Sequence, residues 1–137
     1  LDLALWLFGD LTVRGAVVDR CGPLEIDVED TVVAVLAGAG GVPVTVSLDY
    51  LSRRYRRGIE VVGHDATVRL DWARQVVEVE NGRGVDEQPA DDDVATSYER
   101  QAAAFLGWIG GGPPLPVDAA CGLRSVALAE AIRQAAR

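Results

Sequence analysis

Between residues 12 and 80 the apolar side chains recur at a spacing of two, in short runs joined by links of a few residues, and this pattern constrains the fold more than any other feature. The clearest run is Val42, Val44, Val46, Leu48 and Tyr50, facing one way while Thr45, Ser47 and Asp49 face the other. That is a strand with one wet face. Residues 12–20 read as a strand with Val13, Gly15 and Val17 on one side and Arg14, Ala16 and Val18 on the other. Residues 31–36 are continuously apolar, which suits a strand buried on both faces. Residues 55–63, 67–72 and 75–80 give three more strands, linked through Gly63-His64-Asp65 and Ala73-Arg74. Links this short are below what a parallel crossover needs, so neighbouring strands pair antiparallel.

Helical spacing is confined to the two ends. Leu1, Leu5 and Phe8 share a stripe that stops at Gly9. No Ser, Thr, Asp or Asn precedes this stripe as a cap, and no Met opens the chain, so the helix reads as already under way, with sequence missing upstream. A short amphipathic first helix without its Met is the competing reading. Residues 21–27, with Gly22-Pro23, form a loop, and residues 81–93, with Gly82, Gly84, Pro89 and Asp91-Asp92-Asp93, have no periodicity and read as an exposed loop. Tyr98, Ala102, Phe105 and Ile109 then line one side of a helix ended by Gly110-Gly111-Gly112-Pro113-Pro114. A last helix over 120–136 buries Leu128, Ile132 and Ala135. The expected fold is a single α+β domain over residues 1–137: a mainly antiparallel open sheet of about six strands with helices packed on one face.

A chain of 137 residues with 49% hydrophobic and 25% charged residues buries a real core. No apolar run reaches the roughly 20 residues of a membrane span, so no membrane partner is expected. A net charge of −8 repels phosphate backbones, which argues against nucleic acid. The two cysteines, Cys21 and Cys121, give no disulfide framework, and a reducing, cytoplasmic setting is the default. All 13 basic residues are arginine, so the chain supplies no lysine for a Schiff base or a general acid.

Few residues carry a chemical signal. Gly38-Ala39-Gly40-Gly41 follows an apolar strand as a dinucleotide-binding turn would, but position 43 is Pro43 where the third glycine belongs, and a strand follows instead of a helix. A hairpin turn is the better reading. The single histidine, His64, sits in a turn with no nucleophile placed for it, and Asp91-Asp92-Asp93 lacks the spacing of a calcium loop, so no metal site is expected. Arg53-Arg54-Tyr55-Arg56-Arg57 places four positive charges within five residues of an acidic chain. If extended, Arg53, Tyr55 and Arg57 share a face that could bind a carboxylate, phosphate or polyol; a charge-protected sheet edge is an equal alternative.

Taken in order, several segments resemble the C-terminal domain of the Gfo/Idh/MocA oxidoreductases, a family that includes inositol dehydrogenases and glucose-fructose oxidoreductase. Leu1-Asp2-Leu3-Ala4-Leu5-Trp6-Leu7-Phe8-Gly9 is similar to the helix written H-x-x-D-L-x-x-W-L-F-G, with Asp2 at its aspartate. Glu29-Asp30-Thr31 resembles the family's acidic entry to a buried strand, Ile59-Glu60-Val61-Val62-Gly63 its I-x-I-x-G strand, and Arg69-Leu70-Asp71-Trp72 the strand that comes next. Tyr98 and Phe105 fit the Y-x-x-E-x-x-x-F helix, with Gln101 where Glu is usual. Val117-Asp118 through Gly122-Leu123 to Ala131-Ile132 fits the closing helix, and Ala66 stands where a turn glycine is common.

The resemblance implies a dihydrodipicolinate-reductase-like C-terminal domain of a larger two-domain enzyme acting on a sugar or polyol. NAD or NADP would be held by an N-terminal Rossmann domain, and the catalytic lysine and histidine would lie outside this chain, the histidine just before Leu1. This chain would then contain no catalytic, cofactor-binding or metal residue and be inert alone. It would contribute Asp2, Arg53 and Tyr55 to substrate binding, and its open sheet face would make a homodimer or tetramer. Asp2 has a second reading, as a charge that stabilises the first helical turn. The alternative for the whole chain is a non-enzymatic binding or dimerisation module that uses the same open face, with Thr45, Ser47, Asp49, Arg69, Asp71, Glu78 and Glu80 as its polar surface.

Overall fold

The computed structural model describes residues 1–90 and 93–136. Along the chain the elements are α1 (Asp2–Phe8), β1 (Thr12–Asp19), β2 (Thr31–Ala37), β3 (Pro43–Asp49), β4 (Gly58–Val62), β5 (Ala66–Asp71), β6 (Val76–Asn81), β7 (Gly84–Pro89), α2 (Val94–Ile109) and α3 (Ala119–Ala135). The class is α+β with antiparallel sheets, as expected, but the strands divide between two sheets, ordered β1-β2-β3 and β4-β5-β6-β7. The chain correspondingly forms two compact units, Leu1–Leu51 with Pro116–Arg137, and Ser52–Leu115.

In the first unit the pairing register decides which side chains make the core. Ala34 sits opposite Ala16 and Val46, and Leu36 opposite Val13 and Val44. Strict alternation would put Val13 and Ala16 on opposite faces. The register slips between Val13 and Gly15, and this bulge at Arg14 returns Val13 to the face of Ala16 and Val18. Leu5 of α1 and Leu128 and Ile132 of α3 close over Ala34, Leu36 and Val44, so both helices cover one face of the sheet. Ala135, placed in the core by its spacing, is exposed at the frayed end of α3.

The opposite face of this sheet is uncovered. Val17, Val33 and Val35 are adjacent across β1 and β2 and are 58%, 43% and 45% exposed. The continuous apolar run at residues 31–36 therefore has only one buried face in this chain, and the second is an apolar surface without a cover.

The second unit is a four-stranded meander. Ile59, Leu70 and Val77 are register partners on one face, with Val61, Val68 and Val79 beside them. The other face carries the row Glu60, Arg69, Glu78 and Glu87. Arg69 binds Glu60 and Glu80 together, and Arg74 reaches Glu78 at 3.0 Å, so the charges on this face are paired across strands. β7 lies within what the sequence reads as loop. It is an edge strand with every residue exposed, so it needs no apolar alternation and shows none. Asp91 and Asp92, the acidic part of that expected loop, lie outside the described residues.

α2 starts at Asp93, whose carboxylate accepts the Thr96 amide at 2.8 Å. Its expected apolar stripe is present, but Tyr98, Phe105 and Ile109 are all exposed, and no residue of the helix is buried.

Candidate functional site

Asp2 and Trp6 are one helical turn apart on α1 and therefore project on the same side. Facing them is the start of α3, fixed by Asp118, whose carboxylate accepts the Cys121 amide at 2.9 Å. Together Asp2, Leu5, Trp6, Pro116, Val117, Cys121 and Arg124 line a shallow open cleft in the first unit. The Asp2 carboxylate accepts a long hydrogen bond from Ser125 Oγ at 3.4 Å, and Arg124 donates to Asp10 at 2.7 Å. Trp6 is 73% exposed at the mouth. An indole face, a carboxylate and a guanidinium around one cleft form a surface suited to a ring bearing hydroxyls. Asp2 also lies in the first turn of α1, so its helix-stabilising role and its place in the cleft coexist.

The sequence singles out Asp2 but not its neighbours. Trp6 could have been found, since it lies four residues on and so shares the face. Cys121, Arg124 and Ser125 are more than a hundred residues away, and only the packing of α3 beside α1 brings them there.

Arg53 and Tyr55 belong to the second unit. They lie ahead of β4, which begins at Gly58, in a segment that bends at Arg53 and Arg54. The condition under which Arg53, Tyr55 and Arg57 share a strand face is therefore not met. Edge protection does not describe them either, because they precede the edge strand instead of lying on it. Arg57 is fixed: its guanidinium stacks 4.4 Å from the centre of the Trp72 ring, and its carbonyl accepts the Trp72 amide at 2.8 Å. Arg56 donates to Ser52 Oγ at 2.8 Å. Tyr55 is 63% exposed.

Asp30 is the one buried charged residue of the described chain, at 2% exposure. Its carboxylate accepts the amides of Cys21 and Gly22, each at 2.8 Å, and the Thr31 hydroxyl at 2.9 Å. The Cys21 amide foremost, then the Gly22 amide and the Thr31 hydroxyl, holds its pKa below the usual carboxylate range, against the opposing effect of burial. All its capacity is spent inside the protein, so Asp30 organises the loop between β1 and β2. The acidic entry to β2 thus has a structural reason.

Residues 38–41 close the hairpin between β2 and β3 through a short 3-10 turn, with Gly38 donating to Val42 and Gly41 to Gly38. Gly40 and Gly41 have positive φ, which explains the glycines without a ligand. The turn leads into a strand, and no helix N-terminus stands there to receive a pyrophosphate, so these glycines do not fit a nicotinamide dinucleotide. His64 is almost fully exposed beside Asp65. Among the described residues no three histidine, cysteine or acidic side chains are grouped to hold a metal.

Residues 1–69 match the family described as the GFO/IDH/MocA C-terminal domain. The chain belongs to this family. A comparison with curated proteins gave no match. Solved structures also resemble it. An oxidoreductase from Agrobacterium radiobacter, crystallised with NAD+, L-tartaric acid and magnesium, aligns with a TM-score of 0.78 at 22% identity, over 98% of this chain and 44% of that one. UDP-N-acetylglucosamine 3-dehydrogenase from Acidithiobacillus ferrooxidans aligns with a TM-score of 0.79 at 21% identity, over 98% and 43%. A 3-ketoreductase from Actinomadura kijaniata, in complex with TDP-benzene and NADP, gives 0.73 at 25% identity, over 99% and 44%. The first two likenesses establish the fold alone. This GFO/IDH/MocA C-terminal domain spans less than half the length of each of these proteins. Among the described residues no helix is long and apolar enough to cross a membrane.

Proposed function

We propose that this chain is the substrate-facing and assembly domain of a two-domain NAD(P)-dependent oxidoreductase acting on a sugar, a polyol or a derivative of one. The observation that carries the reading is the cleft of Asp2, Trp6 and Arg124, set on the helix that resembles the family's H-x-x-D-L-x-x-W-L-F-G string. In this reading Asp2 accepts a hydrogen bond from a substrate hydroxyl, Arg53 and Tyr55 are further candidates for substrate binding, and the nicotinamide and the proton-transferring groups come from another domain. The similar solved structures support it, since one is in complex with NAD+ and L-tartaric acid, one is a UDP-N-acetylglucosamine 3-dehydrogenase and one is in complex with NADP.

The two-domain enzyme tests the assignment by steady-state kinetics. Asp2→Asn and Tyr55→Phe should change KM or kcat for the sugar while the nicotinamide KM stays within about twofold. A change confined to the nicotinamide KM would sink it.

The assembly role is supported by the uncovered patch of Val17, Val33 and Val35, flanked by Thr45 and Ser47 of β3. Covering it with a second copy would remove apolar surface from water on both partners. Sedimentation should show concentration-dependent association that Val33→Asp abolishes. A chain that stays monomeric at high concentration would count against this part of the proposal.

A further inference from the structure

The uncovered face of the three-stranded sheet is polarised along its strands. At one end the register sets Asp19, Thr31 and Asp49 in a row across β1, β2 and β3. In the middle lies the apolar patch, with Val17 beside Val33 and, one level further, Gly15 beside Val35. Beyond Gly15 comes Arg14, the exposed residue of the β1 bulge. Asp19 accepts the Arg20 amide at 2.7 Å with one carboxylate oxygen, and among the described residues neither Asp19 nor Arg14 forms an ion pair. The patch therefore carries an unpaired negative charge at one end of β1 and an unpaired positive charge at the other.

We infer that this face is two-fold self-complementary: a second copy stacks on it with its strands antiparallel, and Arg14 of each copy pairs with Asp19 of the other. The inference rests on the proposed assembly role. Two sheets packed face to face are related by an axis lying in the interface, either along the strands or across them. An axis along the strands would lay β1 on β3 of the second copy and set Asp19 against Asp49 twice. Four carboxylates would then crowd one end of the interface, in a chain whose net charge is already −8. An axis across the strands, at the level of the register partners Ala16 and Ala34, lays β1 on β1 and β2 on β2 with their directions reversed. Val33 of each copy then meets Val35 of the other. Val17 faces Gly15 of the second copy, where a Cβ would meet nothing within 4 Å, so the valine fills the space that the glycine leaves. Asp49 faces Pro43, and Asp19 faces the level of Thr12, next to the bulge at Arg14. Sheets stacked in this way stand about 10 Å apart, a gap that an arginine and an aspartate side chain span together. The pairing also gives position 15 a reason to be glycine that the single chain does not, since Gly15 has neither a positive φ nor a close neighbour.

Sedimentation equilibrium of the 137-residue chain at low ionic strength tests the arrangement. Arg14→Asp and Asp19→Arg each set like charges together at two symmetric positions, and each alone should weaken self-association at least about tenfold. An equimolar mixture of the two variants should associate as tightly as the unaltered chain, because every replaced charge then meets its opposite. Both the loss and the recovery should shrink as salt is raised. Arg83→Asp, the same charge change in the exposed turn between β6 and β7, should not rescue Asp19→Arg. Gly15→Val leaves both charges in place and fills the gap that Val17 needs; it should weaken association at least about tenfold without lowering the Tm of the monomer. Single variants without effect, a mixture that does not recover, rescue by Arg83→Asp, or undiminished association of Gly15→Val each overturns the inference. If the unaltered chain associates and Val33→Asp abolishes it while the mixture fails to recover, the assembly role stands and this arrangement falls. If the unaltered chain is monomeric at high concentration, the assembly role fails and the arrangement with it.

Discussion

β2 carries two neighbouring aliphatic residues with opposite fates, and replacing each in turn gives a quantitative test of the fold. Leu36 is 1% exposed between Val13 and Val44, whereas Val35 is 45% exposed on the uncovered face. Leu36→Ala deletes three carbons from the centre of the core, worth about 2.4 kcal/mol at about 0.8 kcal/mol per methylene. The surrounding sheet and helices cannot collapse fully into the gap, and the residual cavity brings the cost to about 3–4 kcal/mol. Val35→Thr leaves the shape almost unchanged and places its hydroxyl in water, so its cost is within about 0.5 kcal/mol. In a unit of this size each kcal/mol lowers Tm by about 4–8 °C, so Leu36→Ala should lose at least about 12 °C and Val35→Thr at most about 4 °C. Thermal unfolding by calorimetry, at a concentration where sedimentation shows a monomer, measures both. A loss below about 1 kcal/mol for Leu36→Ala, or equal losses for the two, would refute the assignment of faces and with it the exposed patch on which assembly is argued.

Two further outcomes follow from local chemistry. Asp30 has a folded pKa below its ordinary value, so its stabilisation is present above the unfolded pKa of about 4 and is lost as pH falls through the lower folded pKa. Asp30→Asn sets an NH2 group against the amide of Cys21 or Gly22; it should lower Tm at pH 7 and flatten the decline below pH 4, and an unchanged acid profile would rule out Asp30 as its source. A Cβ on Gly58 would stand 2.7 Å from the Leu70 carbonyl oxygen, whereas one on Gly82 would meet nothing within 4 Å. Gly58→Ala should therefore cost about 1–3 kcal/mol by urea unfolding while Gly82→Ala is close to neutral, and a neutral Gly58→Ala would mean that β4 and β5 are not paired as described.

The reach of sequence reasoning follows the physics of each signal. Apolar alternation is a record of burial, so it locates β3, β5 and β6 to within a residue or two and gives the antiparallel α+β class. It is silent for β7, where nothing is buried, although Asn81-Gly82-Arg83-Gly84 carried another signal, a two-residue hairpin turn in which the Asn81 side chain accepts the Arg83 amide at 2.8 Å. It misleads at β1, because a single bulged residue reverses the face of everything before it. It also misreads residues 31–36, since an apolar run records that a face needs cover without saying whether the same chain provides it. The candidate site divides in the same way. Asp2 and Trp6 can be paired by counting one helical turn, and the excess of charge at residues 53–57 is countable from the string. What cannot be counted is which arginines the fold neutralises. Arg69 and Arg74 meet carboxylates because the strands of the four-stranded sheet fall into one register, and Arg53 and Arg54 do not because their segment stops short of that register. Whether a charge on this sheet is matched is thus a property of strand pairing, and it becomes visible only once the register is known.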